Sequence, residues 1–399
     1  MKNIFEPYSI GNLTFKNRII RAATHEGMSD REGMPTDDLL RLYQNLAQGG
    51  AGGIITGNVS VSKNGRTFPG MRMFDTDEYI PVYKSMNDKL KQYKTPIILQ
   101  LAHGGSRSMS RVTGREVISA SSRRKNEYGD AVKEASEAEI RSVIEAFATA
   151  VVRAKAAGFD GVELHAAHGY LLSEFVSPVL NKRWDQWGRS TENRMRIVTE
   201  ILSAARREVG KHFPILVKIS GHDEFKNGLT ETETITIARI LHAATCDAIE
   251  VSCGYGDFMH TVRTPKVPVD AILGLIPKYR AMPGYQKWLF RRMAPFMAKT
   301  HAPLMNYNVP MAELIKRNVS IPVIAVGGIR NVKDIQAIVS DKGIDLVSLS
   351  RPFVIEPDIV NRFQNGQESS RCINCGYCLI GVVSSKLRCY YGRVPEMGS

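Results

Sequence analysis

Short apolar runs alternate with amphipathic segments along most of this chain of 399 residues. Short apolar runs bounded by turn residues are typical of buried strands, and apolar residues spaced three and four apart are typical of helices that cover a sheet. The predicted strands are 18–22, 53–56, 96–101, 161–164, 214–219, 248–251, 322–326 and 345–349. The predicted helices are 36–48, 77–93, 136–157, 191–209, 230–244, 311–317, 332–340 and 357–364.

Eight strand–helix pairs predict an α/β chain that closes into a (β/α)8 TIM barrel, because open doubly wound sheets usually stop at about five or six strands. Two stretches depart from the alternation. Residues 252–307 contain six prolines and no clear period, so we interpret them as an irregular excursion over the site. A cysteine-rich tail at 366–399 follows the predicted barrel domain of 1–365.

Residues that follow the strands of such a barrel share one mouth, where the fold builds its active sites. Glycines and Arg351 after the last two strands suit a phosphate. Ala22 and Ala23 would let a flat ring approach the backbone, and Gln100 can both donate and accept at a ring edge. Together these features indicate FMN. The predicted mouth residues are Ala22, Ala23, Thr24, Gly57, Gln100, His165, His168, Tyr170, Lys218, Gly327, Gly328, Ser350 and Arg351.

The chain is basic, with a net charge of +13, which favours anionic ligands such as phosphates or nucleotide cofactors. Residues 261–300 hold eight Lys or Arg but one acidic residue, Asp270, which suits either an anionic substrate or a solvated basic surface. No nucleic-acid motif occurs, so we expect no nucleic-acid partner. No apolar run approaches the ~18 residues of a membrane span and no signal peptide is present, so we expect a cytoplasmic protein without a membrane partner.

Four of the six cysteines crowd the tail. In a chain without an export signal, such a cluster is more typical of a metal or iron–sulfur site than of disulfides. A [4Fe–4S] cluster, a structural zinc ion and unligated thiols all stay open. We interpret the isolated pair, Cys246 and Cys253, as buried small hydrophobes. The tail cysteines are Cys372, Cys375, Cys378 and Cys389.

Five motifs in order give the chain a resemblance to a known family. It resembles the Old Yellow Enzyme family of FMN-dependent ene-reductases and NADH:flavin oxidoreductases over about residues 3–363. Each motif alone is a weak signal, but each lies on the barrel element that the family requires. The motifs are FEPYSIGNLTFKNRI near the start, QLAHGG at 100–105, HAAHGYLLSEFVSP at 165–178, NKRWDQWGRSTENR at 181–194, and VGGI at 326–329 with SRPF at 350–353.

The resemblance implies a role for each matching residue. His165 and His168 look like the pair that hydrogen-bonds the activating oxygen of the substrate. Tyr170 looks like the acid that protonates carbon. The remaining matches concern the flavin: Gln100 resembles its pyrimidine contact, Lys218 the cation beside N1 and O2, and Gly328 with Arg351 the phosphate clamp.

Two departures from the family pattern are visible. Many members have Pro-Met or Pro-Leu and then Cys or Thr after the first strand, but here the stretch is Arg21-Ala-Ala-Thr-His-Glu-Gly27. Gly27 aligns where some members place a tyrosine, and we hypothesise that His25 replaces part of the missing function. The cysteine tail is similar to the iron–sulfur motif of the 2,4-dienoyl-CoA reductase branch, although its spacings differ slightly.

The predicted function is the reduction of an activated C=C bond, of enone or enoyl type, by FMN with electrons from NAD(P)H. One alternative is a flavin oxidase or demethylase that runs the same barrel in the oxidative direction. Another is an electron-transfer protein in which FMN and an iron–sulfur tail are fed by a separate partner. The expected substrate is a small alkene, with an anionic one favoured by the basic charge, and we expect a homo-oligomer.

Overall fold

A closed ring of eight parallel strands forms the centre of the fold. The computed structural model describes residues 2–255, 261–297 and 300–393. Its strands are β1 Tyr8–Ile10, β2 Leu13–Phe15, β3 Ile19–Arg21, β4 Ile54–Ile55, β5 Val59–Ser60, β6 Ile97–Ala102, β7 Val117–Ser119, β8 Val132–Glu134, β9 Gly161–Ala166, β10 Ile215–Ser220, β11 Ala248–Ser252, β12 Val323–Val326 and β13 Leu346–Leu349. The ring runs β3–β4–β6–β9–β10–β11–β12–β13, and β13 pairs with β3. The predicted (β/α)8 barrel is therefore confirmed.

Helices surround the ring and appear where the sequence predicts them, with ends shifted by a few residues. Two of them begin at a capping box, in which Ser136 or Thr230 exchanges hydrogen bonds with the glutamate three residues later. The helices are α1 Asp37–Gln48, α2 Tyr79–Leu90, α3 Ser110–Thr113, α4 Glu137–Ala156, α5 Leu171–Val176, α6 Thr191–Val209, α7 Glu231–Ala243, α8 Val269–Leu275, α9 Pro277–Arg280, α10 Gly284–Met297, α11 Val309–Lys316, α12 Val332–Ser340, α13 Arg351–Ile355, α14 Ile359–Gln364 and α15 Tyr377–Gly381.

An N-terminal hairpin closes the bottom of the barrel. Strands β1 and β2 pair antiparallel, and Ile10, Leu13 and Phe15 are buried there. They pack against the first residues of the barrel strands, such as Ile98 and Leu216, in one cluster. Burial of each such side chain contributes about 1.5–3 kcal/mol, so this floor holds the strands together at the end opposite the mouth. The sequence analysis predicts no hairpin at this position.

The excursion at 252–307 is more ordered than the sequence predicts. Its described residues contain the helices α8, α9 and α10, and Pro277 occupies the start of α9. A proline is tolerated in the first turn of a helix because its missing N–H is unpaired there in any case. The prediction of an irregular segment is therefore wrong, since prolines that mark helix starts were interpreted as loop residues.

The tail packs back onto the barrel mouth. The Leu387 amide donates to the Glu26 carbonyl oxygen at 2.8 Å, and Lys386 pairs with Asp38. Helix α15 packs against α8 of the excursion. The tail is therefore part of the mouth rather than a separate appendage. Within the described residues, no helix is long and apolar enough to cross a membrane.

Candidate active site

Most of the predicted mouth residues line one cavity, which we call the glycine cavity. Its empty volume is about 620 Å³. The sequence analysis missed its lining residues from the excursion and the tail, of which Tyr307 and Asn374 are examples. These come from chain segments far from the strand ends. The predicted residues that line this cavity are Ala22, Ala23, His168, Lys218, Gly327, Gly328, Ser350 and Arg351.

The two glycines after β12 allow a close approach of backbone and side chains. Gly327 and Gly328 have positive φ angles of +122° and +72°, a region that L side chains rarely adopt. A Cβ atom at Gly328 would lie 2.4 Å from the Leu304 carbonyl oxygen, and one at Gly327 would lie 2.6 Å from the Asn308 side-chain nitrogen. Only glycine fits these positions, so the exposed backbone N–H groups of this turn can approach an anion.

Strand register places a charged layer beneath the glycine cavity. Lys218 pairs across the sheet with His165 on one side and Glu250 on the other. Its ammonium nitrogen lies 2.8 Å from a Glu250 oxygen, and both side chains are buried. Ser348 donates a further hydrogen bond to Glu250. The cation that faces the cavity therefore carries its own counter-charge inside the barrel.

A second carboxyl group shares this layer. The Gln100 amide donates to Glu163 at 2.6 Å, because the two residues are register partners. Burial, together with the charge of Glu250, raises the pKa of Glu163 well above its usual range. Burial alone would also raise the pKa of Glu250, but Lys218 and hydrogen bonds from Glu163 and Ser348 lower it. These opposite shifts favour the proton on Glu163 and the negative charge on Glu250. Neither carboxylate was predicted, although a carboxylate within an apolar strand is a signal for such pairing.

Four predicted cofactor contacts lie outside the lining of the glycine cavity: Thr24, Gly57, Gln100 and His165. Gln100 points at Glu163, as described above. The hydroxyl groups of Thr24 and Ser350 are hydrogen-bonded to each other, with 2.9 Å between their oxygens. The Gly57 amide donates to the Glu26 carboxylate at 2.7 Å, and a Cβ atom at this glycine would collide with Glu26. Thr24 and Gly57 therefore hydrogen-bond to Ser350 and Glu26 and do not line the glycine cavity in this structure.

Arg351 connects three parts of the mouth. It is buried and lines the glycine cavity after β13. Its guanidinium also donates to the main-chain oxygens of Val262, at 2.8 Å, and Asn374, at 3.3 Å. One side chain thus joins the barrel, the excursion and the tail. The sequence predicted its place at the cavity but not these two attachments, which are contacts between distant segments.

The His-x-x-His-x-Tyr motif forms a cluster of edge-on and tilted rings after β9. The ring of His165 lies 5.0 Å from that of His168 and 4.6 Å from that of Tyr170, between centroids. His168 lines the glycine cavity, and its Nε2 lies 2.7 Å from the Ser252 hydroxyl. The Nδ1 atom of His165 is buried and has no hydrogen-bond partner among the described residues. This nitrogen is therefore free to form a hydrogen bond with a ligand at the mouth.

Both histidines are neutral. Burial lowers the pKa of His165 to about 3, and the positive charges of Lys218 and Arg107 act in the same direction. Burial also lowers the pKa of His168 well below its usual range, with His165, Lys218 and Arg107 adding to the effect. A neutral imidazole has one N–H donor. Each ring can therefore donate one hydrogen bond to an oxygen while it stays uncharged.

Tyr170 lines a second opening, which we call the tyrosine cavity. His25, Arg107 and Tyr128 also line it. The Arg107 guanidinium lies 6.0 Å from the centre of the Tyr170 ring and 3.3 Å from a Glu127 oxygen. Burial lowers the pKa of His25 to about 4, so this ring is neutral. The histidine cluster therefore stands between the two cavities, with His168 on one and Tyr170 on the other.

The tail supplies one wall of the tyrosine cavity, at residues 382–386. Gly27 lies behind this wall with a φ of +62°, and a Cβ atom there would lie 2.7 Å from the Ser385 carbonyl oxygen. No larger side chain fits between the barrel and the tail. The tail therefore occupies the space that a side chain at position 27 would need.

The four tail cysteines line a third cavity, the cysteine cavity, beside Arg351. All four thiols are unpaired, and Cys378 is buried. Burial raises the pKa of Cys378 to about 12 and also raises that of Cys375. Neutral thiols are poor metal ligands, so a metal site here would have to displace their protons on binding. Cys246 and Cys253 are buried, as predicted.

Among the described residues, the group of three or more metal-ligand atoms within 4.8 Å of one another is His222, Glu224 and Cys253. The Arg263 guanidinium lies 2.7 Å from Glu224, so the carboxylate of this group already forms an ion pair with a side chain. The tail cysteines are not grouped so tightly. A zinc ion with bonds of about 2.3 Å would hold four sulfur atoms about 3.8 Å apart. The cysteine cavity is therefore wider than a zinc site in this conformation.

The barrel, its glycine turn and the histidine–tyrosine cluster make this a TIM-barrel protein with a polar, cavity-lined mouth. A family model described as NADH:flavin oxidoreductase / NADH oxidase family matches residues 3–269 and 290–370. The chain belongs to this family, and the resemblance to the Old Yellow Enzyme family is confirmed.

Similar proteins agree with this assignment. The chain is 31% identical over 405 residues to a metal reductase of Desulforamulus reducens, covering 100% of this chain and 55% of that protein. It is 32% identical over 359 residues to an NADPH dehydrogenase of Clostridium acetobutylicum, covering 90% and 93%. The chain thus spans about half the length of the first of these relatives. A structure of 2-naphthoyl-CoA reductase with 2-naphthoyl-CoA aligns with a TM-score of 0.79 at 23% identity, over 97% of this chain and 56% of that one, and supports the fold.

Proposed function

We propose that this chain is an FMN-dependent oxidoreductase that reduces an activated C=C bond with electrons from NAD(P)H. The observation that carries the proposal is His165. It is buried and neutral, and its Nδ1 atom has no partner among the described residues. Its ring contacts both His168, which lines the glycine cavity, and Tyr170, which lines the tyrosine cavity. A histidine at this position can hydrogen-bond the activating oxygen of a substrate whose reacting carbon is accessible from both cavities.

The glycine cavity has the donors that FMN requires. Gly328 and Arg351 offer backbone N–H groups and a guanidinium for the phosphate. Ala22 and Ala23 are small enough to lie against a flat ring. Lys218 lines the cavity and would face the pyrimidine edge of that ring. When bound, FMN supplies hydride chemistry between a nicotinamide and an alkene.

Lys218 can stabilise negative charge at the pyrimidine edge, but Glu250 neutralises part of its charge from below. The layer beneath the cavity thus has one cation, one anion and one protonated carboxyl group. Preorganised charges in a dry site act more strongly than charges in water because little reorganisation is required. The charged groups of this layer therefore stay in fixed positions while the reaction takes place in the glycine cavity.

The histidine cluster performs the second half of the proposed reaction. His165 and His168 would donate hydrogen bonds to the carbonyl oxygen of the substrate and stabilise the developing enolate. Tyr170 would give its phenolic proton to the carbon beside that carbonyl and recover it from solvent through the tyrosine cavity. General acid catalysis of this kind contributes about 10²–10⁴-fold to rates.

The same cavity supports the expectation of an anionic substrate. Arg107 lies near Tyr170, and its partner Glu127 is solvent-accessible. A carboxylate or phosphate on the substrate could take the place of Glu127 in a bidentate contact with the guanidinium. Replacing Arg107 with Met should therefore raise KM for an anionic enone more than for a neutral enone of the same size.

An anaerobic absorption spectrum tests the reductive half of the proposal. We expect the purified protein to show flavin bands, to release FMN on denaturation, and to bleach with NADH or NADPH. Bands that stay oxidised with both nucleotides would contradict direct reduction and favour an oxidative or partner-fed enzyme. A protein without flavin would refute the proposal.

We also propose that the tail holds a [4Fe–4S] cluster, which gives electrons a second route to the flavin. Four cysteines line one cavity, and that cavity shares Arg351 with the glycine cavity. Four thiolates are the usual ligand set of such a cluster.

Metal analysis tests the cluster. We expect about four iron atoms and four labile sulfides per chain, with broad absorption near 400 nm. Replacing Cys378 with Ser should remove the iron while the flavin remains. One zinc ion per chain, or no metal in protein prepared without oxygen, would refute the cluster and leave the barrel chemistry intact.

A further inference from the structure

An exposed apolar helix face stands out on the surface of the excursion. The family model skips residues 270–289, which include the first six residues of helix α10, whereas the rest of this helix lies in the matched part. Helix α10 directs five large side chains outward, including Tyr285, which is 71% exposed, and Phe296, which is 90% exposed. We call them the insert face: Tyr285, Trp288, Leu289, Met293 and Phe296. Large apolar groups at contiguous positions on a surface mark an interaction site.

The insert face lies in the most basic part of the protein. Residues 261–297 and 369–393 together hold eleven Lys or Arg and a single acidic residue, Asp270. These two segments therefore account for ten of the thirteen net positive charges of the chain. Arg292 belongs to the same helix face and lies over the Trp288 ring at 5.3 Å. This charge favours an acidic partner for the surface.

A chain of contacts joins the insert face to the cysteine cavity. Arg291 of α10 lies 3.4 Å from Asp270 of α8. Helix α8 packs against α15, which begins at Tyr377. The Tyr377 ring lies 6.0 Å from the ring of Tyr391, and Tyr391 lines the cysteine cavity.

The cysteine cavity is open to a partner. Tyr391 and Ile373, which line it, are both exposed, and the nearby Arg371 extends into solvent. An apolar, basic surface therefore runs beside the position where the proposed cluster would lie.

We propose that the insert face docks a small acidic one-electron carrier protein, of the ferredoxin class, which delivers electrons to the cysteine-held cluster. This inference rests on the proposed cluster. Two carrier molecules, each oxidised by one electron, together with two protons from solvent, balance the reduction of one C=C bond. The carrier thus replaces NAD(P)H as the reductant in this route.

Composition favours a protein partner of this kind. Tyr, Trp, Phe, Met and Arg are enriched in protein interfaces, and Trp, Tyr and Arg are the usual hot spots. Electron carriers bind through small interfaces, and opposite charges accelerate their encounter by about 10–10³-fold. A second copy of this chain would bring like charges together, which disfavours self-association through the insert face.

The test uses the full holoprotein and a purified acidic two-cluster bacterial ferredoxin as the probe. Binding is measured by anaerobic calorimetry, and bleaching of the flavin by pre-reduced ferredoxin is followed in a stopped-flow instrument. We expect the double variant W288S/F296S to weaken binding and slow bleaching at least ten-fold. An increase of salt from ~50 to ~300 mM should slow wild-type bleaching, because screening shortens the reach of charge.

The matched control is W184S, which removes a tryptophan that is 81% exposed in another loop. We expect W184S to bind ferredoxin as tightly as the wild-type protein does. Iron-containing protein that bleaches with NADPH or dithionite, but with equal ferredoxin rates in all variants, would overturn the docking proposal and leave the proposed function standing. Absence of iron would refute the cluster and the docking together. Insert-face-dependent binding to anionic phosphatidylglycerol vesicles without ferredoxin binding would overturn the proposal in favour of a membrane surface.

Discussion

The barrel mouth and the tail differ in how their residues are held. At the mouth, strand register fixes each side chain against its neighbours: Lys218 faces Glu250, and Gln100 faces Glu163, because they are ladder partners. The tail is fastened by individual contacts, such as the Leu387 amide to the Glu26 carbonyl oxygen. Substitutions at the mouth should therefore affect chemistry or buried charge, whereas substitutions at the junction should release the tail from an intact barrel.

Removal of the Tyr170 hydroxyl should give the largest effect. We expect Y170F to reduce alkene turnover by at least about 100-fold, because the proton donor is lost. Flavin reduction by NAD(P)H should change little, since the phenol lies on the tyrosine cavity rather than the glycine cavity. Separate measurement of the two half-reactions by stopped flow checks this split. Equal losses in both halves would mean that Tyr170 has a structural role.

The buried ion pair should give the next largest effect. E250Q leaves the Lys218 ammonium inside the barrel without its counter-charge, which should lower the free energy of unfolding by about 3–5 kcal/mol. The matched control is E163Q, since glutamine resembles the protonated Glu163 and can keep its hydrogen bond with Gln100. We expect a change below about 1 kcal/mol in urea unfolding for this control. Similar losses in both variants would contradict the assigned protonation states.

The tail junction can be tested at Gly27. G27A combines a positive φ with a Cβ contact on Ser385, whereas Gly114 has a similar φ of +65° and nothing within 4 Å. Both alanine variants should lose about 1–2 kcal/mol to backbone strain. G27A should in addition speed tryptic cleavage near Lys386 several-fold, because the tail is pushed off the barrel. Equal cleavage of the two variants would show that the Gly27 contact does not hold the tail.

A further prediction concerns the pH dependence of stability. Burial lowers the pKa of His103 to about 3, far below the ~6.5 of an unfolded chain. The unfolded state thus binds more protons between these values, so stability is full above pH 6.5 and falls as the pH drops towards 3. H103N should flatten this dependence by about 1.4 kcal/mol per pH unit in urea titrations at pH 4–6. An unchanged slope would mean that His103 is protonated in the folded protein.

The barrel could be predicted from the sequence because its strands are short apolar runs between amphipathic helices, a local pattern. The N-terminal hairpin could not, since its strands have three residues each and their burial depends on a barrel floor that no local pattern describes. The helices of 252–307 were missed because prolines start helices as well as break them.

Some residues of the candidate site could likewise be predicted from a local pattern, and others could not. Residues such as His168, Lys218 and Gly328 follow strands, so the fold brings them to one mouth. Glu250 carried a usable signal, a carboxylate in a buried strand, that was not interpreted. The tail wall at 382–386 carried none, because its contact with Gly27 joins positions more than 350 residues apart.

Reoxidation of the reduced protein by an enone tests the central claim most directly. The protein is reduced without oxygen by one equivalent of NADPH per flavin and mixed with 2-cyclohexenone. We predict that the oxidised flavin bands return and that one saturated ketone forms per flavin. A flavin that stays reduced with the enone, but reoxidises when oxygen is admitted, would contradict the assignment of an alkene reductase.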